Sequence, residues 1–291
     1  MRENADQDTE RRGYSAAQVS DFAGQVRKLR NEGAGLRFDL GHLAEQLTAS
    51  RAKTFAQQGV GRRFHLIERC VLNIFEIYPA GRQEFLSIDE CTDIAIQFHA
   101  FAMNVYALFD NVAWVCLLES EHILQPKKIG LHKEACRPFI PPNLASFLAE
   151  PDITRWFHDY GTLYRDSTVH RIAPYLPSRS YTPEEGERWQ QLNAKSMQEW
   201  IAPVHDQKRA GSSDRLERLD RLEREKGELG RNSLFMCLSL TGEDASPPVY
   251  LHPQLLCDWG LAQEMIRHFL VGMRESRGWQ VPNIPLLEVG D

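Results

Sequence analysis

The longest apolar segment of the chain is residues 87–118, SIDECTDIAIQFHAFAMNVYALFDNVAWVCLL. Ser87 and Glu90 have the spacing of a capping box, which predicts that a helix begins here. Apolar residues then recur at three- and four-residue steps, at Ile94, Phe98, Phe101, Val105, Leu108, Val112, Val115 and Leu118. The second half of the predicted helix is apolar on nearly every side, so we expect it to be the central helix of the fold.

Helical patterns also precede this segment. Residues 16–31 and 41–58 have helical composition, and we expect a separate helix in each. From Arg62 to Tyr78 apolar residues recur at helical spacing until Pro79-Ala80-Gly81 ends the pattern. The first 15 residues are polar and charged, and we expect them to be disordered.

Downstream, helices and loops alternate. Residues 125–142 contain four prolines and predict a loop over the bundle. Asn143 and Asp152 are suitable N-caps for two further helices. Pro183 suits the first turn of another, which should run to about Ile201. An apolar pattern predicts a last helix from about Pro253 to Glu275.

Two segments depart from the helical patterns. Residues 205–231 are charged at almost every position that is not leucine, which favours a solvated helix or a mobile linker over a partner-binding surface. Residues 233–251 contain two β-type runs separated by Thr241-Gly242-Glu243-Asp244, which predicts a β-hairpin. The sequence therefore predicts an all-α bundle, a single domain over residues 16–291, with a small β-hairpin insert before the C-terminal helix.

Composition and charge restrict the class of protein. The chain is 42% hydrophobic and 25% charged, which is ordinary for a globular protein with a sizeable core. A net charge of −6 is unlike that of a general nucleic-acid coat protein, so any contact with RNA would need a local basic cleft. The polar N-terminus has no signal-peptide pattern. Asn104, Asp110 and Asn111 interrupt the longest apolar stretch, so we expect a cytoplasmic protein without a membrane segment.

No pattern predicts a metal or a cofactor. The six cysteines include no CxxC pair and are expected to be buried thiols. Histidines 65, 99, 158 and 205 lack the spacing of metal ligands. Phosphate-binding, dinucleotide-binding and serine-hydrolase glycine motifs are missing from the sequence.

The motif that points to chemistry is residues 165–170, Arg-Asp-Ser-Thr-Val-His. Metal-free attack on an RNA phosphodiester needs a fixed cation and a histidine that moves protons near neutral pH. On a helix Asp166 and His170 share one face, so we expect a contact that raises the histidine pKa. Arg165 and His170 lie about 140° apart on a regular helix, so they converge only around a wide cleft, across a dimer or where the helix loosens.

The arginine, the polar residue after it and the histidine four residues later resemble the signature of the HEPN superfamily. The proline-rich tail over residues 170–177 resembles that of uncharacterised bacterial members of this superfamily. So do Asn104-Val105-Tyr106 and the segment from Asp110 to Trp114 on the preceding helix. The resemblance implies a four-helix up-down bundle that forms a homodimer, with the two motifs facing each other across the interface.

The resemblance also implies metal-independent RNA cleavage in active members. By position, Arg165 would hold the scissile phosphate, His170 would act as general acid or base, and Asp166 would orient or polarise. Attack by the RNA 2′-hydroxyl on the adjacent phosphate is the implied reaction. A role in defence or toxin–antitoxin systems, with an antitoxin or defence-system partner, is likewise implied by resemblance alone.

Several alternatives stay open. Asp110 and Asn111 are costly in an apolar helix unless they are paired. They predict either a second wall of the cleft, with Arg171 as a further substrate contact, or a buried hydrogen-bond network. The competing function is a catalytically inactive HEPN-like protein that serves as a dimeric interaction or ligand-binding module.

Overall fold

The computed structural model describes residues 13–170, 172–205, 213–237 and 249–279. The chain is predominantly helical, as predicted, with short antiparallel strand pairs. Its described parts form two compact units. The first contains residues up to Arg82, 88–176 and the chain from Leu234 onward, and the second contains residues 83–87 and 177–233. The sequence patterns predict a single domain over residues 16–291 and do not indicate this division into two units.

The helices of the first unit carry the candidate site. They are α1 (Ala16–Gln46), α2 (Ser50–Thr54), α3 (Arg62–Ile77), α4 (Ile88–Glu119), α5 (Pro142–Leu148), α6 (Pro151–Trp156), α7 (Thr162–His170) and α10 (Leu251–Arg277). Two π-helical segments, Phe55–Gly61 and Phe157–Gly161, connect α2 to α3 and α6 to α7. Within the loop predicted over residues 125–142 lie two 3₁₀ segments, Pro126–Lys128 and Glu134–Phe139.

Helix α4 is the central helix, as its apolar pattern predicts. It packs along α3 and also contacts α7 and α10. Phe98, Phe101, Val105, Leu108 and Val112 are fully buried. By length and composition α4 is also the one helix among the described residues that could cross a membrane. However, 61% of its most apolar window is buried within the fold, as in a core helix.

Helix α1 differs from the prediction, because residues 16–31 and 41–58 do not form two separate helices. It begins with a capping box between Ser15 and Gln18 and continues to Gln46. Burial of Leu36 and Leu40 on its inner side outweighs the low helix propensity of nearby glycines. A short break follows, and Glu119 at the end of α4 accepts hydrogen bonds there from the backbone of Thr48 and Ala49.

Two predicted caps are replaced by other groups. Pro141 precedes α5, and the side chain of Asn143 instead bonds the ring of His268 at 2.6 Å. Glu150 precedes α6, and Asp152 lies in the first turn, where it forms an ion pair with Arg155. The helical path from Pro151 to His170 agrees with the predicted start near Asp152.

The predicted strands are present but short. In the first unit β3 (Phe235–Met236) pairs antiparallel with β4 (Val249–Tyr250), and the predicted turn at 241–244 lies outside the described residues. In the second unit β1 (Arg179–Ser180) pairs antiparallel with β2 (Arg231–Asn232), which the sequence did not indicate.

The charged run contains a helix that is anchored in the second unit. Helix α8 (Pro183–His205) starts at the predicted proline, and α9 (Ser213–Gly227) packs against it. Leu219 is buried, and the buried Arg215 donates a hydrogen bond to the carbonyl oxygen of Glu199. Of the two forms predicted for this run, the structure shows the helix over residues 213–227.

Candidate functional site

A fully buried carboxylate on α10 fixes the segment that leads to the motif. Asp258 accepts hydrogen bonds from Trp156 Nε1 at 2.7 Å and from the hydroxyl of Tyr164. Gln254, one turn earlier on α10, donates a third at 2.8 Å. Burial raises the pKa of Asp258 to about 6, and these hydrogen bonds oppose the rise. Arg165 directly follows Tyr164, so the start of the motif is held against the core.

Arg165 is fixed by two neighbours and still reaches solvent. Its Nε donates to Asp166 Oδ1 at 2.8 Å, and its Nη1 donates to the hydroxyl of Tyr106 on α4 at 3.1 Å. The guanidinium carbon lies 5.3 Å from the centre of the Tyr106 ring, within cation–π range. The Arg165 side chain nevertheless remains 41% exposed. The site therefore offers a positioned cation that an anionic ligand can approach.

Asp110 lies among positive charges next to the loop that contains the two 3₁₀ segments, which we call the 126–139 loop. A Cβ atom built at Gly130 would lie 2.9 Å from Asp110 Oδ1, so the loop backbone approaches this carboxylate closely. Burial raises the pKa of Asp110 to about 6, while the charges of Lys133, Arg165 and Arg63 oppose the rise. We call Arg63, Lys133 and Arg165 the basic cluster.

His132 is a site residue that the sequence did not reveal. Its ring centre lies 4.0 Å from that of Phe157 and 6.1 Å from that of Tyr106. Desolvation lowers its pKa to about 4 with the help of the charges of Lys133 and Arg165, although the residue is exposed. The imidazole is therefore neutral at pH 7 and a weak base. The only signal in the sequence was a His-Lys pair within a proline-rich loop.

Asn111 does not share a wall with Asp110. Its Nδ2 donates to the carbonyl oxygen of Ala107 in the same helix at 2.6 Å, and its Oδ1 faces Gly59 of the first π-helical segment. Asn104 lies on this side too and accepts from Arg63 Nη1 at 2.9 Å. Of the two interpretations left open, Asp110 fits a site with Arg165, whereas Asn111 lines a different cavity.

His170 is the last residue of α7. Its side chain and the whole of Arg171 lie outside the described part of the structure, so the contact between Asp166 and His170 stays a prediction. The structure shows instead that Asp166 accepts a hydrogen bond from Arg165. The observed partner of Asp166 is therefore the cation that precedes it.

The described residues contain no group of three His, Cys, Asp or Glu side chains arranged to hold a metal ion. Cys70, Cys91, Cys116 and Cys136 are buried free thiols, while Cys237 is half-buried and Cys257 is exposed.

Comparisons of this chain with protein-family models, with curated proteins and with solved structures find no match.

Proposed function

We propose that the protein is a HEPN-like helical-bundle endoribonuclease that cleaves RNA without a metal ion. One observation carries the proposal: the chain has a net charge of −6, yet Arg165 of the motif is held by Asp166 and Tyr106 with 41% of its side chain exposed. A local basic site is what an acidic protein needs in order to bind RNA phosphates. The motif resemblance adds the histidine that the chemistry requires.

The geometry suits Arg165 to the role of phosphate clamp. Asp166 and Tyr106 together contact all three nitrogen atoms of its guanidinium, which limits the side-chain entropy lost when a phosphate binds. Positioned donors of this kind stabilise the charge that develops on phosphate oxygens in the transition state.

In the proposed reaction the RNA 2′-oxygen attacks the adjacent phosphorus and the bond to the 5′-oxygen breaks. His170 takes the proton of the 2′-hydroxyl and returns it to the leaving 5′-oxygen. The products are a 2′,3′-cyclic phosphate and a 5′-hydroxyl. His132 lies next to Tyr106, which bonds Arg165, but its low pKa makes it too weak a base to replace His170.

We further propose that the protein acts as a homodimer in the cytoplasm. Positions 165 and 170 are about 140° apart on a regular helix, so a second copy would supply the histidine that faces each arginine. An antitoxin or defence-system partner remains an implication of the resemblance.

The test is incubation of purified protein with several single-stranded RNAs in EDTA, comparing wild type with His170→Ala. General acid–base catalysis contributes about 10²–10⁴ in rate, so we expect the variant to lose at least about a hundredfold. His158→Ala is the matched control, because that side chain is 89% exposed and bonds only Asp159 among the described residues. Failure of the wild type to cleave any of the RNAs, or unchanged cleavage by His170→Ala, would refute the proposal.

A second candidate is a catalytically inactive HEPN-like interaction or ligand-binding protein. The observation that favours it is the ion pair at 2.6 Å between Arg165 Nη2 and Asp166 Oδ1, which neutralises part of the clamp's charge. Under this alternative the wild type binds RNA or a small anion without cleaving it, which the same assay reveals when it is combined with a binding measurement.

A further inference from the structure

The first unit contains a cavity that the proposed cleavage reaction does not use. It has a volume of about 420 Å³, within the range of small-molecule sites. It lies between the π-helical segment Phe55–Gly61, the start of α3 and the middle of α4. The residues that line it are Thr54, Phe55, Gln58, Gly59, Arg62, Arg63, Leu66, Asn104 and Asn111.

The cavity is positively charged within an acidic protein. Its lining includes two arginines and no acidic residue. Arg62 donates to Gln58 and Arg63 donates to Asn104, and these amide partners are neutral. Neither arginine forms an ion pair within 4 Å in the part of the chain that the structure describes, although the charge of Arg63 also acts on Asp110. Two arginines in a concave site without an acidic lining residue favour an anion, and above all a dianion.

The remaining walls are apolar or contain amides. Leu66 is 41% exposed at the cavity, and Phe55 stacks on Trp114 with 5.2 Å between ring centres. Asn111 closes the other side, packed so tightly that a Cβ atom at Gly59 would lie 2.2 Å from its Oδ1. The π-helical turn that presents Gly59 is a feature often found at functional sites. A ligand here would meet two cations beside apolar side chains.

We propose that this cavity binds a small organic phosphate monoester. The phosphate dianion lies against Arg62 and Arg63, and the apolar or aromatic body of the ligand lies against Phe55 and Leu66. This function goes beyond RNA cleavage and shares only Arg63 with the basic cluster. Binding here requires neither Arg165 nor His170.

The test uses phenyl phosphate as the probe, titrated calorimetrically in EDTA against full-length protein. Phenol lacks the phosphate, inorganic phosphate lacks the apolar body, and benzoate carries only one negative charge. We expect phenyl phosphate to bind at least about tenfold more tightly than each of these three, because both the arginines and the apolar side chains of the cavity contribute to binding.

The variant Arg62→Gln should weaken phenyl phosphate binding by about tenfold through loss of a charged hydrogen bond. Arg69→Gln, exposed on the same helix and bonded to Asn73, is the matched control and should bind normally. Leu66→Glu places a carboxylate beside the arginines on an exposed position and should also weaken binding.

Two results would overturn the proposal. One is that the wild type shows no saturable binding of phenyl phosphate. The other is that folded Arg62→Gln and Leu66→Glu both bind phenyl phosphate as tightly as the wild type does. Because His170→Ala should keep full affinity for phenyl phosphate, failure of RNA cleavage and failure of this cavity are separate outcomes.

Discussion

At the scale of single residues, Asp258 does most to position the candidate site. It is fully buried and joins α10 to Trp156 and Tyr164, the latter directly before Arg165. Burial raises its pKa from 3.8 to about 6. The folded protein therefore binds a proton between about pH 4 and pH 6 that the unfolded chain has released, so the free energy of unfolding falls as the pH rises through this range.

This shift makes a prediction for Asp258→Asn, which cannot titrate. Two pKa units correspond to about 3 kcal/mol, so the stability of wild type relative to the variant should fall by up to about 3 kcal/mol from pH 4 to pH 6. Denaturant unfolding at several pH values measures this difference, and the contribution of Asp110 cancels because both proteins contain it. Asp152→Asn is the control, because that side chain is 87% exposed. If the difference in stability between wild type and Asp258→Asn does not change with pH, the account is contradicted.

The residues of the site were only partly predictable. Arg165 and Asp166 follow from a local motif, and their contact depends on adjacent positions in one helix. Tyr106 and His132 come from the middle of α4 and from an irregular loop, and they meet Arg165 only through packing around Phe157. A single sequence does not encode that convergence, because the course of a proline-rich loop depends on the surface beneath it.

At the scale of elements, helices with a strong apolar period were predicted well. Helices α3 and α4 agree with their patterns to within a residue or two, since burial of one face fixes a 3.6-residue period. The two π-helical segments were missed, because one extra residue per turn leaves almost no trace in that period. The first of them depends on a close approach of Gly59 to α4.

Two glycines in helical turns should respond oppositely to substitution by alanine. Gly59→Ala places Cβ 2.2 Å from Asn111 Oδ1 and 3.1 Å from its Cγ, so the helices must move apart, at a cost of about 1–3 kcal/mol in the free energy of unfolding. Gly24→Ala in α1 meets no atom within 4 Å and should stabilise the protein by about 0.5–1 kcal/mol. Thermal or denaturant unfolding compares the two, and a Gly59→Ala protein as stable as wild type would rule out the close packing.

At the scale of the whole molecule, an acidic chain carries local concentrations of positive charge. Under the proposed function, a net charge of −6 means that RNA binding depends on a local site such as the basic cluster. The sequence indicated that such a site is needed. Which residues form it depends on how α3, the 126–139 loop and α7 meet around Asp110. The division into two compact units was not foreseen, because the pairing of α8 with α9 depends on contacts such as that of Arg215 with Glu199.

Dimer formation is a prediction at this scale. We expect sedimentation equilibrium to give twice the chain mass of 33.4 kDa, because under the proposed function the motifs of two copies face each other across an interface. The measurement should be repeated with His170→Ala, which should remain dimeric. If the protein is a monomer at concentrations where it cleaves RNA, a site that combines residues of two copies is ruled out.

The most direct test of the central claim uses a DNA oligonucleotide that contains one ribonucleotide, incubated with the protein in EDTA. If Arg165 and His170 support attack by the 2′-hydroxyl, the strand is cut once, directly 3′ to the ribonucleotide. The products then carry a 2′,3′-cyclic phosphate and a 5′-hydroxyl, and the all-DNA strand stays intact. Cleavage of the all-DNA strand, products with a 3′-hydroxyl and a 5′-phosphate, or an uncut chimeric strand would contradict the account.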